Sequence, residues 1–281
     1  TNCLHFRRER IAASGPFRFL VGSEKKEYMM HEHLVERISR PLRALLNSGM
    51  ENSVRRVAEW PDVEEATFVC FFQFAYTGDF DVEEPTRPYP RVSQTPGLPE
   101  QESAPEAVEA KANRNRKEPG RANPELCKSF KTLYFPLNTR SSKWLLPDEA
   151  PASSFTEVFL AYAKLYVLAD EKGIEGLADC SLARLYNALS NFDLQEKGVG
   201  SVVSLAEYCF DHTCDKANRN GKQDRMRRMV CIYVACNLEV LWDSTDFQII
   251  FAKHSEFSVG VVGLMAGKVS PFGGWSTPVT V

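Results

Sequence analysis

Long apolar runs are missing from this 281-residue sequence. The stretch nearest to one, Val259 to Ala266, falls well short of the roughly 18 residues a bilayer-spanning helix needs. Gly260 and Gly263 interrupt it, so it reads as a packed helix. A secretory segment is not expected near the start, because Phe6-Arg7-Arg8-Glu9-Arg10 breaks any apolar stretch there. An excess of one charge is missing too. The chain has 34 Lys and Arg against 37 Asp and Glu, a formal net charge of -3, which argues against a broad electrostatic nucleic-acid binder. No nucleophile elbow, Gly-rich phosphate loop or metalloprotease His pair occurs, so neither catalysis nor a bound cofactor is expected. Cysteine is not scarce, but residues 3, 70, 127, 180, 209, 214, 231 and 236 form no regular framework. Several fall inside apolar helical patterns. In a chain this long, that favours reduced, buried thiols and a cytoplasmic or nuclear location.

What is present is a hydrophobic content of 43%, enough for a substantial core in one or two domains. Phe17 to Val21 is a short apolar run. Gly22-Ser23-Glu24 can turn the chain and Lys26 to Met30 can return as a second strand. Helical spacing follows in His31 to Ile38 and in Leu42 to Met50, separated by Arg40-Pro41, with Gly49 as a C-terminal stop. Arg55 to Trp60 reads as a third strand. Asp62 with Glu65 resembles a capping box. It precedes Phe68, Phe71, Phe72, Ala75 and Tyr76, one wide helical stripe closed by Thr77-Gly78-Asp79.

From about 82 to 153 the chain is rich in Pro and polar residues without a usable period, and reads as a disordered insertion. Within it, the piece from Lys128 to Leu146 carries Phe130, Leu133, Tyr134, Phe135 and Trp144, and could dock elsewhere. Ser154 with Glu157 forms a second capping-box pattern. Strong helical periods then run from Phe155 to Ala169 and, after Gly173, from Ile174 to Leu189. Further helices are expected over Val202 to Phe210, Met226 to Val234, Thr245 to Lys253 and Val259 to Gly267, before a loose tail from Ser270.

These blocks carry a resemblance. Val21-Gly22 to Met30, then His31-x-x-Leu34-Val35, then Ser39, resembles the strand-strand-helix opening of BTB/POZ domains. Asp62-Val63, Phe68 and Phe74-Ala75-Tyr76-Thr77-Gly78 resemble that family's later segment, and Tyr162 to Leu177 its next helix pair. The sequence is most similar to filamentous-fungal BTB proteins, which often carry an acidic, Pro-rich insert after Tyr-Thr-Gly.

The resemblance implies an α+β fold, a small β-sheet capped by α-helices. The BTB/POZ-like domain would span 16–190, interrupted by the insertion at about 82–153, with an all-α extension over 191–281. It implies a non-enzymatic protein-protein interaction module whose partners are proteins, including a second copy of itself. Family dimers often swap an N-terminal element, and here only Thr1 to Gly15 precedes the expected core. Some members are adaptors that bring a cullin scaffold to ubiquitin ligases through a hydrophobic-x-Glu motif after the second helix. The matching positions here are Met50, Glu51 and Asn52, with Asn in the place of the motif's Glu.

Other residue groups admit chemistry of their own. His31 and His33 form a His-x-His pair, but on a helix two residues two apart diverge, so His31 reads as structural and His33 as a solvated face. Cys209, His212 and Cys214 lie close in sequence, with Cys231 and Cys236 beyond. Their spacing is not that of a zinc site, and they read as core thiols. Asp211-His212 beside Cys209 or Cys214 has the residue types of a thiol nucleophile, but sequence neighbours rarely meet that geometry. Lys111, Arg114, Arg116, Lys117 and Arg121 form a basic patch in the insertion. It supports an alternative reading, a nuclear regulatory protein that uses the patch for localisation or nucleic-acid contact. Lys222, Arg225, Arg227 and Arg228 read as the polar face of an amphipathic helix.

Overall fold

The alternation Phe17-Arg18-Phe19-Leu20-Val21 puts Phe17, Phe19 and Val21 on one face, and all three are buried in strand β1 (Pro16–Val21). Gly22, with a φ of 71°, turns the chain into β2 (Lys26–His31), and the Lys25 amide donates to the Gly22 carbonyl at 3.1 Å. The hairpin is antiparallel, with Phe17 opposite Met30 and Phe19 opposite Tyr28. Two short helices follow, α1 (Glu32–Ile38) and α2 (Arg40–Leu46), with Pro41 in the first turn of α2 as its missing N–H allows. They carry the chain over to β3 (Val57–Trp60), which lies parallel to β1 on its other side, giving the strand order β2-β1-β3.

This computed structural model describes residues 9–48, 56–82, 126–127, 130, 152–192, 194, 198–214 and 224–267. Gly49, the Met50–Asn52 motif, the basic patch from Lys111 to Arg121 and the tail from Ser270 lie outside them.

Helix α3 (Glu65–Thr77) seals the sheet. Phe68 and Phe71 are buried against Phe19 and Trp60, with ring centroids 5.3–6.2 Å apart in edge-on or tilted pairs. The expected capping box does not form. Glu64, not Asp62, occupies the N-cap and makes no side-chain cap bond, because Pro61 to Val63 are taken up by a turn in which the Val63 amide donates to the Trp60 carbonyl at 3.3 Å.

After the long insertion come α4 (Ala152–Glu171) and α5 (Glu175–Asn191), joined at Gly173, then α6 (Val199–His212) and α7 (Arg225–Cys236). Helix α4 begins upstream of Ser154, so the second capping pattern lies inside the helix. Three shorter helices complete the described fold: α8 (Leu238–Trp242), α9 (Thr245–Lys253) and α10 (Ser255–Met265). The molecule is thus α+β, mostly helical, with a small three-stranded sheet.

Two expectations about the helical part are corrected. In helix α7, Met226 to Cys236 are buried, Arg227 and Arg228 included, so of the expected polar face the described residues leave Arg225 half-exposed, and Lys222 lies outside them. Arg227 survives burial because its N–H groups are answered. Nε donates to the Thr213 hydroxyl at 2.8 Å, one terminal nitrogen to the Glu256 carboxylate, the other to the Phe210 carbonyl at 3.2 Å and to the Thr213 carbonyl. Helix α10, read as packed, is so on one side only. Phe257, Val261 and Leu264 point inward while Val259 is 72% and Val262 55% exposed. Within the insertion, Leu126, Cys127 and Phe130 are buried. The Phe130 ring rests between Tyr186 of α5 and Tyr233 of α7, with centroids 5.1 and 5.4 Å away.

Candidate functional site

The blocks that carry the sequence pattern meet in space. His31, at the end of β2, has Nδ1 2.8 Å from the Tyr76 hydroxyl at the end of α3, and its backbone N–H donates to the same oxygen at 3.2 Å. The imidazole thus fixes the hairpin to the Tyr-Thr-Gly turn. His33 does not share that environment. It lies half-buried on α1, 3.6 Å from Glu36, with its backbone N–H donating to the Ser14 hydroxyl.

Ser39 links α1, α2 and the far side of the insertion. Its Oγ accepts the Leu42 amide at 3.1 Å, capping α2, and donates to the Lys172 carbonyl at 2.5 Å. The Lys172 ammonium sits 5.3 Å from the centroid of Trp60. Gly173 follows with a φ of 64°, and a Cβ there would lie 2.9 Å from Cγ of Pro41.

The Thr77-Gly78-Asp79 turn has an equivalent tether. Gly78 is left-handed at φ 79° and its amide closes the helix on the Phe74 carbonyl at 2.8 Å. Asp79 accepts its neighbour Phe80's amide at 3.0 Å and receives the buried Arg184 guanidinium of α5, which also lies 4.7 Å over the Phe80 ring. Cys180, one turn earlier on α5, has its sulfur 3.8 Å from the same carboxylate, and burial pushes its thiol up to about 11. Asp79 reads in the sequence only as a turn residue, and its pairing with Arg184 escaped the sequence reading. The available signal was Arg184 standing seven residues after buried Leu177, a cation on an apolar helical face.

Between the first two turns of α3, the middle of α4 and the Asp81-Val82 segment after α3, the surface opens into a groove of about 570 Å³. Val69, Leu160, Ala161 and Leu165 supply its apolar floor; Glu64, Glu65, Asp81, Glu157 and Lys164 stand around it. Lys164 reaches both oxygens of Glu64, at 2.6 and 2.7 Å. Glu65 is held by Lys26 and by the Tyr28 hydroxyl at 2.5 Å. Those two hydrogen bonds, Lys26 first, keep the Glu65 carboxyl below its ordinary value.

The sulfur- and imidazole-bearing cluster of α6 does not converge. Cys209 is fully buried, and its thiol is pushed well above its ordinary value by burial. His212 is exposed and stacked on Tyr208 with centroids 4.0 Å apart, and Cys214 is exposed beyond the helix end. Cys231 and Cys236 are buried in α7. Among the described residues, no three His, Cys, Asp or Glu side chains are grouped to hold a metal ion, and no helix is long and apolar enough to cross a membrane. Met50, Glu51 and Asn52, the positions named for partner contact, fall in the gap between Ser48 and Arg56. Neither the family models nor the curated proteins compared with this chain match it.

Proposed function

We propose that this chain is a BTB/POZ-type protein-interaction module with a helical C-terminal extension, working by presenting packed surfaces to a partner rather than by catalysis. The observation that carries the reading is the coincidence of sequence pattern and tether. The His that ends the second strand bonds the Tyr of Tyr-Thr-Gly, and the Ser ending the first helix bonds the turn between the helices after the insertion. Residues that define the resemblance are therefore the ones that join its separate blocks. The element order, a hairpin, two helices, a third strand, an aromatic helix and then a helical pair, supports the same reading. So does the state of the groove's acidic groups, since Glu64 and Glu65 are engaged in ion pairs with lysines. A specialised version of this reading is a ubiquitin-ligase adaptor that binds a cullin near Met50 to Asn52.

Two titrations test the proposal on the full chain: self-association by analytical ultracentrifugation, and binding to a purified cullin N-terminal domain by calorimetry. The module reading expects at least one with a Kd below about 10 µM, about −7 kcal/mol. A monomer that ignores the cullin at that concentration overturns it, and a self-associating chain that ignores the cullin removes only the adaptor version.

A further inference from the structure

We infer that the groove between α3 and α4 is a docking site for a basic amphipathic helix of a partner protein; this rests on reading the chain as an interaction module. The floor is apolar and open: Val69 is 45% exposed, and Leu160 and Ala161 are half-buried. Apart from Asp81 and Val82 the walls are helices, whose interior backbone groups bond within their own turns. The two helical walls offer a strand no edge to add to, and recognition along them runs through side chains. That is the situation in which an apolar helix face inserts anchors at one- and two-turn spacing.

Charge selects which helix. Four carboxylates line the groove and one lysine does. Lys164 is spent on Glu64, and Glu65 is answered by Lys26 from the hairpin. Asp81 accepts only the neutral Gln73 amide, at 2.8 Å, and Glu157 stands exposed one turn before Leu160 and Ala161. Among the described residues, neither Asp81 nor Glu157 has a cation within ion-pair distance. Among the described residues the groove thus keeps two negative charges without a cationic partner beside an apolar floor. A helix with Leu-type anchors flanked by Lys or Arg satisfies both features, whereas an acidic helix is repelled.

The test uses the full chain and a fluorescein-labelled Leu/Lys peptide of about 15 residues at helical spacing, with a Leu/Glu counterpart. Anisotropy should show the basic peptide binding in the range of about 10–100 µM, weakening with salt, and the acidic one not binding. Replacing Asp81→Lys together with Glu157→Lys should weaken the basic peptide at least about tenfold, while Glu239→Lys with Asp243→Lys, on and just after α8, should leave it unchanged. Equal loss in both variants, or equal binding of both peptides, overturns the inference.

A photo-crosslinker placed as Val69→p-benzoylphenylalanine locates the contact. Capture of the peptide supports the site. Capture of this chain's own insertion, or of a second copy, overturns the partner assignment. A module that passes the self-association or cullin titration but ignores the peptide sinks this inference alone. A peptide-binding chain that fails them loses the self-association and cullin versions of the module reading and keeps the groove as its interaction surface.

Discussion

The Ser39 hydroxyl donates a 2.5 Å hydrogen bond to the carbonyl of Lys172, a residue 133 positions later. The same oxygen accepts the Leu42 amide, so one buried side chain caps α2 and fastens it to the α4–α5 turn. Ser39→Ala removes the cap and leaves the Lys172 carbonyl without that donor. Loss of a cap costs about 1 kcal/mol and loss of a buried acceptor's partner about 1–3 kcal/mol. Urea unfolding should show a loss of about 2–3 kcal/mol, with Ser39→Thr recovering part of it.

Gly173 gives a second handle on the same junction. Its φ of 64° disfavours any side chain, and a Cβ would press against the Pro41 ring. Gly173→Ala should therefore cost more than Gly267→Ala, where φ is 65° but a Cβ meets nothing within 4 Å. The backbone strain alone is about 1–2 kcal/mol. In thermal unfolding, Pro41→Ala should restore the excess loss in Gly173→Ala and leave the strain. An excess indifferent to Pro41 would mean that the two do not meet.

Local chemistry left most elements readable, and distance hid most of what joins them. Phe17, Phe19 and Val21 announce their strand by alternation, and Thr245 to Lys253 forms the helix its period dictates, residue for residue. The α+β architecture with its three-stranded sheet follows from such patterns. Arg227 misled because a charged side chain in a helix is read as solvated. Its partners, Thr213, Glu256 and Phe210, come from two other helices and a helix end. Phe130 gave an apolar signal with no period, since it packs as a single ring between Tyr186 and Tyr233. The groove was not foreseeable, because its walls lie on opposite sides of the insertion. Met50 to Asn52 remain a sequence pattern only.

Asp224 makes stability depend on pH in an unusual direction. Its carboxylate caps α7, accepting the Met226 and Arg227 amides at 2.9 and 3.0 Å, and accepts the Tyr166 hydroxyl at 3.0 Å. Burial nevertheless outweighs those bonds and raises its pKa. The folded state then holds the proton more tightly than the unfolded chain. The contribution from this group is full below the ordinary aspartate value and is lost as pH rises through the raised one. Asp224→Asn retains an oxygen acceptor without the titration. Urea unfolding between pH 7 and pH 4 should show the wild type gaining on Asp224→Asn as pH falls; a parallel pair of curves would contradict the assignment.

Asp79 and Arg184 are the ion pair on which the helix pair after the insertion is held to the turn before it. The guanidinium is 3% exposed and the carboxylate 29%, so one end is dry and the other touches water. Breaking a buried pair from one side costs about 3–5 kcal/mol, less where the survivor can be hydrated. Asp79→Ala strands the buried cation and should cost about 3 kcal/mol. Arg184→Leu strands the half-hydrated anion and should cost less, near 2 kcal/mol. Arg184→Lys keeps the charge but loses the planar group that lies 4.7 Å over Phe80, so it should fall between Leu and wild type. Making Asp79→Ala and Arg184→Leu together leaves no uncompensated charge, and the double variant should be more stable than the sum of the singles by about 1–3 kcal/mol. Additive losses in urea unfolding would show that the two groups are neighbours without being energetically joined.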